Sequence, residues 1–120
     1  MENQLLTREA ILQAQDIEYR ELIIPEWNGV VRLKALKTVE YEAFQNHVQN
    51  KMKKGKMDLR NVTANLISRV IVDAKGERVF TQEDVQALSQ KSQKPVNRIW
   101  KAVKEMNGIG DDDLDELVGN

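Results

Sequence analysis

Residues 19–36 read YRELIIPEWNGVVRLKAL, and they fix the β content of the chain. Tyr19–Ile24 and Val30–Leu36 each read as a strand, bounded by turn-forming residues. In the second, Val31, Leu33 and Ala35 alternate with Arg32 and Lys34, the pattern of a strand buried on one face. Between them lies Pro25-Glu26-Trp27-Asn28-Gly29. Asn-Gly supplies the positive-φ positions that a tight turn needs, and Pro25 ends the first strand. The stretch predicts a β-hairpin. An isolated hairpin is marginal in water, so this one must lean on helices or on another copy of the chain.

The flanking sequence supplies helices. Upstream, Thr7 is placed as an N-cap with Glu9 in the first turn of a short helix reaching about Gln13. Its apolar residues are Leu5, Leu6, Ile11 and Leu12. Downstream, Thr38 is the expected cap of a helix whose Tyr41, Phe44, Val48 and Met52 share one face. That helix runs into the basic stretch Lys51–Lys56 and a stop at Gly55. Asp58 is the expected cap of a third helix. Leu59, Val62, Leu66, Ile67, Val70 and Ile71 form its apolar stripe, and Arg60, Asn61, Asn65, Ser68 and Arg69 fill its polar side. This most apolar helix is placed at the centre of the core.

Asp73–Glu77 reads as a turn, after which Val79-Phe80 re-enters the core. Thr81–Asp84 resembles a capping box with Asp as its acid, followed by inward-facing Val85 and Leu88. Ser92 opens a further helix that tolerates Pro95 in its first turn. Its apolar face is Val96, Ile99, Trp100, Val103 and Met106, and Asn107-Gly108 closes it. Asp111–Val118 reads as a last short helix with its acids first. The expected fold is α+β, mainly α: one N-terminal β-hairpin packed on a bundle of four to five short helices. A single domain over residues 1–110 is followed by an acidic C-terminal helix or tail over 111–120.

Composition narrows the function. At 120 residues the chain suits one domain. It has no cysteine, which removes disulfides, thiol nucleophiles and Cys-ligated zinc. His47 is the single histidine, which leaves little for multi-His metal centres or acid–base work. The formal net charge of −1 argues against bulk nucleic acid or an anionic membrane as partner. That neutrality hides an asymmetry. Asp111, Asp112, Asp113, Asp115 and Glu116 crowd one end, so residues 1–110 hold 18 bases against 14 acids, a formal +4. No apolar run reaches membrane-span length, and the N-terminus lacks a basic signal-type region, so the expected site is a cytoplasm.

Each candidate chemical site fails on spacing. Asp111, Asp113 and Asp115 have the 1-3-5 spacing of a calcium loop, but the glycine position is Glu116 and the twelfth position falls past Asn120. His47 has amides beside it and no nucleophile. No phosphate-cradling glycine loop or nucleophile elbow occurs. No cofactor and no metal are expected, and the chain is not expected to be an enzyme. Residues 81–104 resemble a helix-turn-helix, with Lys91, Lys94, Arg98, Lys101 and Lys104 in or beside the second helix. Gln86 stands where such motifs need a small residue, and no turn glycine lies in Gln90–Gln93. A DNA-binding regulator is therefore the second reading, and two amphipathic helices with solvated basic faces the first. Trp27, in the hairpin loop, is a candidate interface anchor, while Trp100 lies on an apolar face and is assigned to the core.

Taken in order, four stretches resemble the tail assembly chaperones of long-tailed bacteriophages, the group of lambda tail protein G and its HK97 counterpart. They are LTREAIL, IPEWNGVVRLKAL, LISRVIVDAKGERVFTQEDVQALSQKS and MNGIGDDDLDEL. The third is the most specific, an apolar helix followed by a D-x-x-G turn, RVF and a T-x-E-D-V helix start. Lys51–Lys56 departs from the pattern and is read as variable. The resemblance implies a non-enzymatic protein that binds the tape measure protein and recruits the major tail tube protein. It also implies self-association, absence from the finished virion, and a longer form made by ribosomal frameshift near the acidic end. No nucleic acid and no membrane are expected as partners. The residues expected to meet partners are Trp27, Lys94, Arg98 and Lys101, with the acidic run Asp111, Asp112, Asp113, Asp115 and Glu116. The acidic run is expected to meet the Lys94–Lys104 helix of a neighbouring copy.

Overall fold

The computed structural model describes residues 4–53 and 61–110, with backbone alone for 51–53. The expected cap Asp58, the Lys54–Lys56 end of the basic stretch and the acidic helix at 111–118 lie outside the described residues. The elements run α1 (Arg8–Gln13), β1 (Tyr19–Ile24), β2 (Gly29–Lys34), α2 (Thr38–Lys53), α3 (Val62–Val70), β3 (Ile71–Val72), α4 (Val85–Leu88) and α5 (Gln93–Asn107). The fold is α+β and mainly helical, as the sequence predicts.

The hairpin forms with Tyr19 opposite Lys34 and Ile24 opposite Gly29. Its turn is a 3₁₀ segment over Pro25–Trp27 that closes on Asn28 at φ 54°, ψ 39°. Asn28 alone takes the left-handed conformation, and Gly29 begins β2. The sheet holds one strand more than expected. β3 pairs antiparallel with β2, Arg32 facing Val72 and Leu33 facing Ile71, giving the order β1-β2-β3. Two residues at the end of an apolar helix carry no period of their own, so the α3 stripe conceals this strand.

α3 occupies the centre. Leu66, Ile67 and Val70 are fully buried, among Phe44 and Val48 from α2, Ile99 and Val103 from α5, and Ile24 and Leu33 from the hairpin. Its start differs from expectation: Asn61 sits at φ 67° and the helix begins at Val62. The polar side differs too. Asn65 and Ser68 are buried completely, not solvated. They survive there because their polar atoms are satisfied. Asn65 Nδ2 donates to Gln82 Oε1 at 2.9 Å, Arg69 Nε donates to Asn65 Oδ1 at 2.9 Å, and Ser68 Oγ donates to the Asn65 carbonyl at 2.6 Å.

α2 is capped one residue earlier than expected. The Lys37 carbonyl accepts the Tyr41 amide at 3.0 Å, and Glu40 Oε1 accepts the Lys37 amide at 2.8 Å. Val79 is half-exposed at 51%, so of the pair only Phe80 packs on the core. The Thr81 capping box forms, with the Thr81 amide donating to Asp84 Oδ2 at 2.9 Å. It opens a 3₁₀ turn over Gln82–Asp84 and then only the four residues of α4. The 3₁₀ turn and α4 together run over Gln82–Leu88, ahead of α5. α5 ends as expected, on Gly108 at φ 63° with the Ile109 amide donating to the Lys104 carbonyl at 2.9 Å. No described helix is long and apolar enough to cross a membrane.

Candidate functional site

The hairpin is laid along α5 and fixed at both ends. Near its turn, Arg98 Nη1 and Nη2 donate to the two Glu26 oxygens at 2.6 and 3.0 Å. At the open end, Arg20 Nη1 donates to Glu105 Oε2 at 2.9 Å and Nη2 to Glu18 Oε2 at 3.1 Å. Arg98 and Glu105 are seven residues apart, two helical turns on one face, so the two clamps align with the strand direction. A third tie is the Leu36 amide, which donates to Asn107 Oδ1 at 2.7 Å. The Arg98 bonds hold the Glu26 carboxyl down at about 2, assisted by the nearby charge of Lys94. The Glu105 bond raises the Arg20 guanidinium above its ordinary value.

These clamps turn one face of the hairpin to the core and the other outward. Ile24 and Leu33 are buried on the inner face. Outside, Arg32 stacks over the Tyr19 ring, 4.5 Å from its centroid, and donates to the Ala74 carbonyl at 2.9 Å. Further along the same face Ile23 and Val30 stand directly opposite each other, 70% and 58% exposed. The cause is local. Leu22, Ile23 and Ile24 are three apolar residues in succession in a strand, so whichever way the strand turns, one face shows an apolar side chain.

α1 adds a second exposed apolar surface. Thr7 caps it as expected, its Oγ1 accepting the Ala10 amide at 3.2 Å. None of its residues is buried. Leu5 is fully exposed, and Leu6, Ile11 and Leu12 lie between 56% and 70% exposed. A six-residue helix gains too little from its own hydrogen bonds to be stable alone, so this segment is suited to ordering against a partner.

The residues expected from sequence to meet partners divide. Trp27 is half-buried and packs against the core. Arg98 is taken up by Glu26, and Lys94 sits within the field of the same carboxylate. The structure thus brings Lys94 and Arg98 together at Glu26, the residue before Trp27. Lys101 is exposed, beside a shallow groove formed with Lys104, Glu105 and Gly108–Gly110. Asp111, Asp112, Asp113, Asp115 and Glu116 lie outside the described residues. The exposed apolar side chains of the α1 segment and the Ile23–Val30 pair have their sequence signal in LLTREAIL and the unbroken ELII run.

Comparison with known proteins agrees with this architecture. No curated protein is a significant sequence match. The solved structure of the bacteriophage HK97 tail assembly chaperone superposes with a TM-score of 0.59 at 16% identity, covering 86% of this chain and 95% of that one. At that identity the likeness is one of fold. The sequence family described as phage tail assembly chaperone matches residues 6–116, nearly the whole chain, and the protein belongs to that family.

Proposed function

We propose that the protein binds a tape measure protein during tail assembly, keeps its helices in solution, and recruits the major tail tube protein to it. The reading rests on one observation. A chain with a complete core also exposes Leu5, Leu6, Ile11 and Leu12 on its N-terminal segment and the Ile23–Val30 pair on its sheet. Apolar side chains grouped outside a filled core suit burial against another protein. A helical, aggregation-prone partner offers the matching surface, because an amphipathic helix presents its own apolar stripe. The polar neighbours Arg8, Glu9, Glu21 and Arg32 would form the rim that keeps the unbound surface soluble.

The same reading places the protein in the host cytoplasm, self-associated while it works and gone from the finished virion. β1 supports the self-association, since its outer edge is unpaired among the described strands and can accept another strand. A frameshifted longer form would extend the chain from its acidic end. Co-expression tests the reading. A tape measure protein from the same tail gene cluster should stay soluble and co-purify with the tagged chain. A tape measure protein that precipitates equally with and without the chain overturns it.

A further inference from the structure

Away from the apolar surface, two arginines are anchored on one stretch of α3. Arg69 donates its Nε to Asn65 Oδ1 at 2.9 Å. Arg78, after the Asp73–Glu77 turn, donates its Nε to the Ser68 carbonyl at 3.2 Å and its Nη2 to Ser68 Oγ at 3.4 Å. The two anchors are themselves joined, because Ser68 Oγ donates to the Asn65 carbonyl at 2.6 Å. They are three residues apart on the helix, about 4.5 Å along its axis. Both are completely buried, and Asn65 Nδ2 is held in turn by Gln82 Oε1 at 2.9 Å. The backbone of Arg78 is fixed as well. It bridges antiparallel to Val72, and the next amide, of Val79, donates to the Ile71 carbonyl at 3.1 Å.

This anchoring spends the Nε of each arginine and leaves outer N–H groups over. Both Nη nitrogens of Arg69 and Nη1 of Arg78 make no bond among the described residues. No described carboxylate lies within ion-pair distance of either guanidinium, whereas Arg20 and Arg98 of the hairpin clamps each hold one. Partial burial and the charge of Arg78 act against the charged form of Arg69, and the charge of Glu40 acts for it. Two fixed like charges repel, and one dianion neutralises both. Guanidinium N–H groups match phosphate oxygens in charge and in geometry. A phosphate carries both charges on one centre and offers several oxygens to the three free Nη nitrogens, where a lone carboxylate carries one charge.

We infer that Arg69 and Arg78 form a binding site for a dianionic phosphate, either the free ion or a monoester. Their Nε bonds hold the two side chains in place before the ligand arrives, which lowers the ordering cost of binding. A bound phosphate ties the end of α3 to the segment after the Asp73–Glu77 turn, so occupancy stabilises the folded chain. The site shares no residue with the apolar surface proposed to meet the tape measure protein, and neither depends on the other.

The test titrates the ¹⁵N-labelled full chain with inorganic phosphate at slightly alkaline pH, with ionic strength held constant by sodium chloride. Backbone amide and arginine Nε–Hε signals of Arg69, Arg78 and their neighbours should shift and saturate, with those of Lys94 and Lys101 little affected. Arg69→Gln and Arg78→Gln, made singly, should each weaken binding about tenfold. Arg78 is exposed, so its variant should keep the rest of the amide spectrum and serves even where the Arg69 variant does not fold. Glycerol 3-phosphate separates the two sources: binding as tight as inorganic phosphate or tighter assigns a monoester, and weaker binding assigns the free ion. Succinate, a dianion of two carboxylates, should bind more weakly than phosphate. Four results overturn the inference: no saturable shift, the same shift with sodium chloride alone, undiminished binding in Arg78→Gln, or tighter binding of succinate.

Discussion

The guanidinium of Arg98 grips the carboxylate of Glu26 through two parallel bonds of 2.6 and 3.0 Å, across 72 residues of sequence. This pair fastens the hairpin turn to α5, and with the Arg20–Glu105 clamp it holds the hairpin with Ile24 and Leu33 on the core and Ile23 and Val30 exposed.

The pair gives stability a defined pH dependence. Glu26 is lowered from 4.5 to about 2 in the folded chain, so the folded state favours the ionised carboxylate. Its contribution is complete above the unfolded value and is lost as pH falls through about 2. Glu26→Gln should therefore melt earlier than the native chain at neutral pH. The gap should narrow between pH 4.5 and 2 and close below that range. Both side chains are about 30% exposed, so added salt should also shrink the gap. Thermal melts across pH and salt measure both effects.

Phe44 is the largest fully buried side chain, and it packs from α2 into the α3-centred core. Phe44→Ala should cost about 3–5 kcal/mol through lost burial and the cavity left behind. Against a total of about 5–15 kcal/mol for a domain, that loss places the midpoint of urea unfolding far below the native one. A midpoint within experimental error of the native value would mean that α2 is not part of the core.

Gly76 holds φ +84°, and a Cβ there would come 3.2 Å from the Tyr19 hydroxyl. Gly76→Ala should cost about 1–2 kcal/mol from the left-handed backbone alone. It should also push Tyr19 off Arg32, whose guanidinium lies 4.5 Å from the ring centre. Equilibrium unfolding reads the first effect, and the ring-current shifts of Arg32 protons read the second.

Much of this architecture is legible in the sequence, because its signals are periodic or stereochemical. The hairpin follows from Pro25, Asn28 and the alternation after Val30, and the end of α5 follows from Gly108. What escapes is set by tertiary contact. β3 is strand only because Ile71 and Val72 meet Leu33 and Arg32. Asn65 and Ser68 look like a solvated helix face, and are buried with their polar atoms satisfied because Gln82 comes from the turn before α4 to accept from Asn65, while Arg69 of the same helix donates to it. Arg98 reads as a base open to partners, yet its bond to Glu26 depends on a register between hairpin and helix that no local pattern states. The exposed apolar surface is written in Leu5, Leu6, Ile11 and Leu12, but an amphipathic segment reads the same whether its partner lies within the chain or outside it.

The central claim is that the apolar surface of α1 and the Ile23–Val30 pair holds the assembly partner. It is tested by co-expressing a tape measure protein with the native chain and with Leu5→Ser/Leu12→Ser/Ile23→Thr/Val30→Thr. These side chains are at least 58% exposed, so the variant should melt within about 0.5 kcal/mol of the native stability. The account predicts soluble, co-purifying tape measure protein with the native chain and precipitated tape measure protein with the folded variant. Equal recovery of soluble complex with both chains would contradict it.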